Sequence, residues 1–105
     1  MEKSILITGI RASGKTTKAK EILSTYNHGT VGMIHYRELI STPMNLIEYQ
    51  YEVLCIEDVY NLAQLEYVAN IAKKIKTFII VTTQLSLNEI PENILKSFEI
   101  INLQK

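Results

Sequence analysis

Cysteine is almost absent from this chain of 105 residues, in which Cys55 is the single example. One cysteine cannot form an internal disulfide, and such sparse usage is typical of a reducing compartment, so we expect a cytoplasmic protein. No apolar run reaches the roughly 18 residues that a membrane-spanning helix needs. The opening residues MEKS also lack the layout of a secretion signal, so we expect no membrane partner.

A net charge of either sign is lacking as well. The 11 Lys and Arg residues balance the 11 Asp and Glu residues, so no overall field draws the chain toward nucleic acid or an anionic membrane. A local basic patch stays open, because lysines stand at 73, 74 and 76, although the helix dipole alone favours cations at a helix end. Cysteine–histidine clusters at metal-ligand spacing are missing, which argues against a structural zinc site.

Short apolar runs are present, and they alternate with segments of helical period. The runs are SILIT (4–8), TVGMIHY (30–36), YEVLCIE (51–57), TFIIVTT (77–83) and FEIINL (98–103). Continuous runs of this kind predict strands that are covered on both faces. The intervening segments predict helices over 15–26, from Pro43 with Thr42 as its cap, over 62–72, and from Pro91. The alternation predicts one α/β domain over 1–105, with a five-stranded parallel sheet between two helical layers.

A glycine-bearing segment, GIRASGKTT, follows the first predicted strand. It fills the pattern G-x-x-x-x-G-K-[ST] with Gly9, Gly14, Lys15 and Thr16. Small residues let the backbone curl so that successive amides point at one concavity, where a polyphosphate can rest. The helix that follows adds the positive end of its dipole. The alternative is a glycine turn capped by a helix, and the complete pattern at a strand–helix junction argues against it.

This segment resembles the Walker A loop of the P-loop NTPases, and VLCIED (53–58) resembles their Walker B strand. FIIVTTQ (78–84) is similar to the sensor strand of the additional-strand catalytic-glutamate branch, which includes AAA+, RecA-like and FtsK–HerA-like ATPases. IPENILKSFEIINL (90–103) is similar to the stretch before the fifth strand of AAA+ modules. The resemblance implies a minimal single-domain P-loop core with the strand order 5-1-4-3-2.

The resemblance also implies roles for the residues of the loop. The phosphate cradle would comprise Gly9, Ile10, Arg11, Ala12, Ser13, Gly14, Lys15, Thr16 and Thr17. Within it, Lys15 would bind the β- and γ-phosphates, Thr16 would ligate Mg²⁺ and Thr17 would reach the α-phosphate. At the end of the sensor strand, Gln84 or Thr83 would contact the γ-phosphate.

The acidic pair departs from the family pattern, because the usual Asp–Glu is reversed as Glu57–Asp58. Strand side chains alternate, so we expect position to set the roles. Glu57 would then serve the metal and Asp58 the attacking water. Asp58 is one methylene shorter than the usual glutamate, so we expect weak turnover.

The function implied is Mg²⁺-dependent binding and slow hydrolysis of ATP, in the motor subunit of an assembly that handles nucleic acid or protein. The Asn-Lys-x-Asp run of GTPases is missing, which disfavours GTP. Lys96 stands where AAA+ proteins carry an arginine finger, so we expect a homo-oligomer or larger assembly to complete the site, with Lys96 or Arg11 as donor. Three alternatives remain: a nucleotide-binding switch with little hydrolysis, a small-molecule kinase, and a domain that binds no nucleotide and mediates contacts. Residues 42–50 offer a kinase only a short acceptor segment, and the complete loop pattern argues against the third alternative.

Overall fold

The computed structural model describes residues 4–9, 14–26 and 29–103. The strands are β1 (Ser4–Thr8), β2 (Val31–His35), β3 (Val53–Val59), β4 (Phe78–Thr83) and β5 (Phe98–Asn102). The helices are α1 (Lys15–Leu23), α2 (Tyr36–Ile40), α3 (Met44–Gln50), α4 (Leu62–Lys74) and α5 (Glu92–Leu95), with a 3₁₀ turn at Leu87–Glu89. The prediction of an α/β fold is therefore confirmed.

All strand pairs in the sheet are parallel. The order across the sheet is β2-β3-β4-β1-β5, which reads 5-1-4-3-2 when it is counted from the β5 edge. The chain leaves β1 for the far edge at β2 and then returns strand by strand, passing over β1 to reach β5. Right-handed crossovers therefore put α1 on one face of the sheet and the later helices on the other.

The packing follows this division into two faces. On one face, Leu65 and Val68 of α4 pack with Leu54 and Ile56 of β3, and all four side chains are fully buried. On the other face, Ala19 of α1 packs in a smaller cluster that includes β-strand residues such as Cys55. Each fully buried Leu or Ile contributes about 1.5–3 kcal/mol. These two clusters fix the sheet between its helices.

The connection from β2 to β3 differs from the sequence prediction. It contains two helices rather than one, and α2 begins directly after β2, where a strand was predicted to continue to Tyr36. The backbone N–H of His35 donates to Glu38 Oε1 at 3.3 Å, which caps the start of a helix at that point. Pro43 is the N-cap of α3 rather than its first residue, because its ψ of 142° is extended.

Two smaller corrections concern helix ends. Helix α1 ends at Leu23 rather than at 26, and the hydroxyls of Ser24 and Thr25 donate to the carbonyls of Glu21 and Ile22. Such bonds give the backbone an alternative to helical pairing. Pro91 is the N-cap of α5, so this helix begins at Glu92, one residue later than predicted. Among the described residues, no helix has the length and apolar character needed to cross a membrane.

Candidate functional site

A polar concavity lies at the carboxyl ends of β1, β3 and β4. The connections that leave β1 and β4 run to opposite faces, so a crevice opens between these two neighbouring strands. The cavity measures about 670 Å³ and is lined by Gly14, Lys15, Thr16, Thr17, Asp58, Tyr60, Thr82 and Gln84. Its volume falls within the roughly 300–1,000 Å³ typical of small-molecule sites.

Gly14 is the N-cap of α1 and has a backbone conformation that favours glycine. Its φ of 91° and ψ of 19° lie in the left-handed region, which costs an L-residue energy. Gly14 itself lines the cavity. A Cβ built on it would have no described heavy atom within 4 Å. Earlier in the loop, Gly9 N–H donates to the Thr83 carbonyl at 3.3 Å. The predicted cradle residues Ile10, Arg11, Ala12 and Ser13 lie outside the described residues.

The first turn of α1 carries the polar side chains that the loop pattern predicts. Lys15 is its first residue, and Thr16 and Thr17 follow on the exposed surface. The pKa of Lys15 is lowered by burial, an effect that the negative charge of Asp58 opposes. The first backbone N–H groups of a helix have no partner within the helix, so this end attracts anions.

Asp58 reaches the cavity because β3 is irregular at this point. Ile56 pairs with Val81 and Val59 pairs with Thr83, so β3 contains one residue more than β4 over this interval. Asp58 has a φ of 62°, a left-handed conformation that Asp tolerates better than most residues. A bulge of this kind re-aims a side chain. It turns Asp58 toward Lys15, and the Asp58 Oδ2 atom lies 2.5 Å from His35 Nδ1.

Glu57 occupies a different environment from its neighbour. It pairs with His35 in the sheet register, is half-buried and does not line the cavity of Lys15. Its Oε1 atom is buried and has no hydrogen-bond partner among the described residues. Burial, assisted by the charge of Glu57, raises the pKa of the Cys55 thiol to about 12.

The environment of Glu57 bears on the predicted magnesium ion. A buried carboxylate oxygen without a partner is a favourable ligand for a cation, and Mg²⁺ is usually bound through one or two carboxylates plus phosphate oxygens. No group of three or more His, Cys, Asp or Glu side chains in the described ranges could hold a metal by itself. Thr16 lines the cavity of Lys15 and Glu57 does not, so the described residues do not bring the two predicted magnesium ligands into one cavity.

The end of β4 separates the two residues predicted as γ-phosphate sensors. The Thr83 hydroxyl donates to the Val59 carbonyl at 2.7 Å and accepts from Leu85 N–H at 3.2 Å. It is buried, and it ties β4 to β3. Gln84 is exposed and lines the cavity, so it is the better placed of the two.

Sequence reasoning missed three residues of this region. Thr82 lines the cavity two residues before Gln84, and Tyr60 lines it directly after β3. His35 contacts Asp58 from the edge strand β2. Position offers a signal for Tyr60 alone, since it follows the predicted acidic pair. His35 becomes a neighbour of Asp58 only through the sheet order.

No protein-family model matches this chain, and no curated protein is significantly similar to it. What the described residues establish is an α/β domain with an all-parallel sheet and a polar cavity at the carboxyl ends of its strands.

Proposed function

We propose that this chain is a cytoplasmic, minimal P-loop ATPase core that binds Mg²⁺-ATP and hydrolyses it slowly. One observation carries the proposal: Lys15 and Thr16 follow a left-handed glycine at the start of α1 and share a cavity with Asp58 and Gln84. The position of β4 between β1 and β3 supports the additional-strand branch. The phosphates would rest on the helix N-terminus, with Lys15 neutralising the outer ones.

Open space beside Gly14 also favours a ligand that approaches the backbone closely. A phosphate oxygen held by amides needs the room that a Cβ would fill, and the described atoms leave this room free. Burial lowers the pKa of Lys15 because it disfavours the charged form, a cost that the negative charge of Asp58 opposes. An anionic ligand would relieve that cost.

In this proposal, Thr16 would ligate a magnesium ion, and Glu57, which lies outside the cavity of Lys15, would serve the ion through a water. The ion would supply charge neutralisation for the phosphates. Thr16 is exposed at the start of α1. The oxygen of Glu57 available for this role is Oε1, which is buried and has no hydrogen-bond partner among the described residues. Asp58 would accept a hydrogen bond from the attacking water, and Gln84 would donate to the γ-phosphate. His35 restrains the Asp58 carboxylate through their contact.

Slow turnover follows from what the cavity contains. No arginine lines it among the described residues, which do not include Arg11. Without such a cation, stabilisation of the transferring phosphoryl group would be incomplete. We propose that a second copy or a larger assembly supplies the missing cation. Specific activity should then rise with protein concentration, and single-stranded and duplex DNA should be compared as stimulators.

Calorimetric titration with Mg²⁺ and a non-hydrolysable ATP analogue tests nucleotide binding. Lys15→Ala should weaken binding by about 2–3 kcal/mol, or about a hundredfold, because one charged contact to the phosphates is lost. Lys20→Ala is the matched control, since it removes an equal charge from an exposed position on the same helix. Equal affinity of the Lys15 variant and the parent, or equal losses in both variants, would refute the assignment.

A second candidate function is a nucleotide switch that scarcely hydrolyses ATP. The contact between His35 and Asp58 favours it, because the imidazole occupies one oxygen of the proposed water-binding carboxylate. Such a switch would bind the nucleotide in the titration above while releasing no inorganic phosphate at any protein concentration. Phosphate release that depends on Asp58 would exclude it.

A further inference from the structure

A second, smaller cavity adjoins the proposed nucleotide site. It measures about 250 Å³ and is lined by His35, Tyr36, Arg37, Asp58, Tyr60 and Gln64. Asp58 and Tyr60 line both cavities, so molecules bound in the two would be neighbours. The volume lies below the roughly 300 Å³ at which sites for drug-sized ligands begin, which points to a compact ligand.

The second cavity is lined by one formally positive side chain, Arg37, and one formally negative side chain, Asp58. Arg37 is exposed and forms no ion pair with any described residue. The nearby carboxylates are already engaged: Glu38 accepts the backbone N–H of His35, and Asp58 contacts the imidazole of His35. Because these carboxylates have other partners, the guanidinium of Arg37 keeps its N–H donors for an anionic ligand.

The neutral groups of the cavity offer further hydrogen-bond donors. The side-chain oxygen of Gln64 accepts from Tyr60 N–H at 2.8 Å, and its backbone N–H donates to Asn61 Oδ1 at 2.9 Å. This arrangement fixes Gln64 and leaves its amide NH₂ as a donor. The ring of Tyr36 packs edge-on against Tyr67, with centroids 6.0 Å apart. Burial raises the pKa of Tyr36, so its hydroxyl keeps a proton to donate.

We propose that this cavity binds a second small ligand through a carboxylate or phosphate group, held by Arg37 and Gln64 beside the nucleotide. A planar carboxylate accepts two parallel bonds from a guanidinium, and phosphate offers the same oxygen geometry. The inference rests on the proposed function for the identity of its neighbour, whereas the donors of the cavity exist without it. The second ligand is therefore a co-substrate or an effector of the nucleotide site.

Nuclear magnetic resonance titration tests the proposal on the full chain saturated with Mg²⁺ and a non-hydrolysable ATP analogue. Succinate and inorganic phosphate are added in separate arms, which distinguish a carboxylate from a phosphate ligand. The side-chain N–H signals of Arg37 and Gln64 should shift saturably in at least one arm. Arg37→Gln should weaken that binding about tenfold or more, the loss expected for a charge-assisted pair.

The matched control is Lys20→Gln, which removes an equal charge from an exposed residue outside both cavities. It should leave the affinity of the probe unchanged. Equal weakening by both variants would show general charge attraction and overturn the proposal, as would the absence of saturable shifts in both arms. If the ATP analogue itself fails to bind, succinate is titrated into the free chain. Binding that requires Arg37 then supports the second site while the proposed function fails, and its absence rejects both.

Discussion

Two glycines with the same backbone conformation allow the fold to be separated from the proposed function. Gly14 and Gly29 both have a φ of 91°, so alanine at either position is forced into the left-handed region. That conformation costs an L-residue about 1–2 kcal/mol. For a domain of this size, such a loss lowers the Tm by about 4–16 °C.

The surroundings of the two glycines differ. A Cβ at Gly14 meets no described heavy atom within 4 Å, whereas a Cβ at Gly29 meets the carboxylate of Glu52. The Glu52 carboxylate is the far end of an exposed, flexible side chain and can move aside. We therefore expect similar stability losses for Gly14→Ala and Gly29→Ala. Only the Cβ of Gly14→Ala would occupy the space proposed for a phosphate.

Thermal unfolding and calorimetric titration with Mg²⁺-ATP analogue, performed on both variants, check the two expectations. Gly14→Ala should bind the analogue at least about tenfold more weakly than the parent, the equivalent of about 1.4 kcal/mol. Gly29→Ala should bind it with the parent affinity despite its lower Tm. Parent-like binding by Gly14→Ala, at a temperature where it is folded, would refute the phosphate site at this glycine. A loss of affinity in Gly29→Ala would show that instability alone weakens binding.

The remaining predictions concern residues in and near the acidic pair. His35→Ala should lower ATP turnover about tenfold with unchanged nucleotide affinity, because the contact with Asp58 is lost. His35→Asn keeps a side-chain N–H for Asp58 and should retain most of the turnover. A rise in turnover in His35→Ala would favour the nucleotide switch. Asp58→Asn should abolish turnover but not nucleotide binding, and Glu57→Gln should weaken Mg²⁺-dependent binding; opposite results would exchange their roles. The pKa of the Cys55 thiol is about 12 in the folded chain and an ordinary 9.0 in the unfolded chain. Above pH 9 only the unfolded chain loses this proton, so the free energy of unfolding should fall by about 1 kcal/mol by about pH 10. Urea unfolding of the parent and of Cys55→Ala measures this loss.

The strands could be predicted closely from the sequence because the central ones are buried on both faces. Leu54, Cys55 and Ile56 are fully buried in succession, so the apolar run marks the strand without any alternation. Helix α2 escaped prediction for a physical reason. It is only five residues long, too short for a hydrophobic period to appear, and its start depends on the reach of Glu38 back to the His35 backbone.

The loop side of the site was predictable, whereas its opposite wall was not. Lys15 and Thr16 are specified by a local pattern, because one strand–loop–helix unit positions them. His35 belongs to β2 and Tyr60 follows β3. Only the pairing of β2 with β3 brings His35 beside Asp58. A contact between residues 23 positions apart in the chain leaves no periodic signal in the sequence.

The reversed acidic pair shows why alternation alone was an insufficient guide. In a regular strand, side chains three residues apart point to opposite faces, yet Ile56 and Val59 are buried in the same cluster. The extra residue of the bulge between them restores Val59 to that face, and the positive φ of Asp58 absorbs the change in direction. The backbone conformation at the bulge therefore directs the Asp58 side chain into the cavity that Lys15 lines. A regular strand, in which side chains strictly alternate, does not make this turn. The shorter side chain of aspartate suits this arrangement, since Asp adopts the left-handed conformation more readily than Glu does. Asp58→Glu should consequently lose stability rather than gain turnover, and a variant that is both stable and faster would contradict this account of the pair.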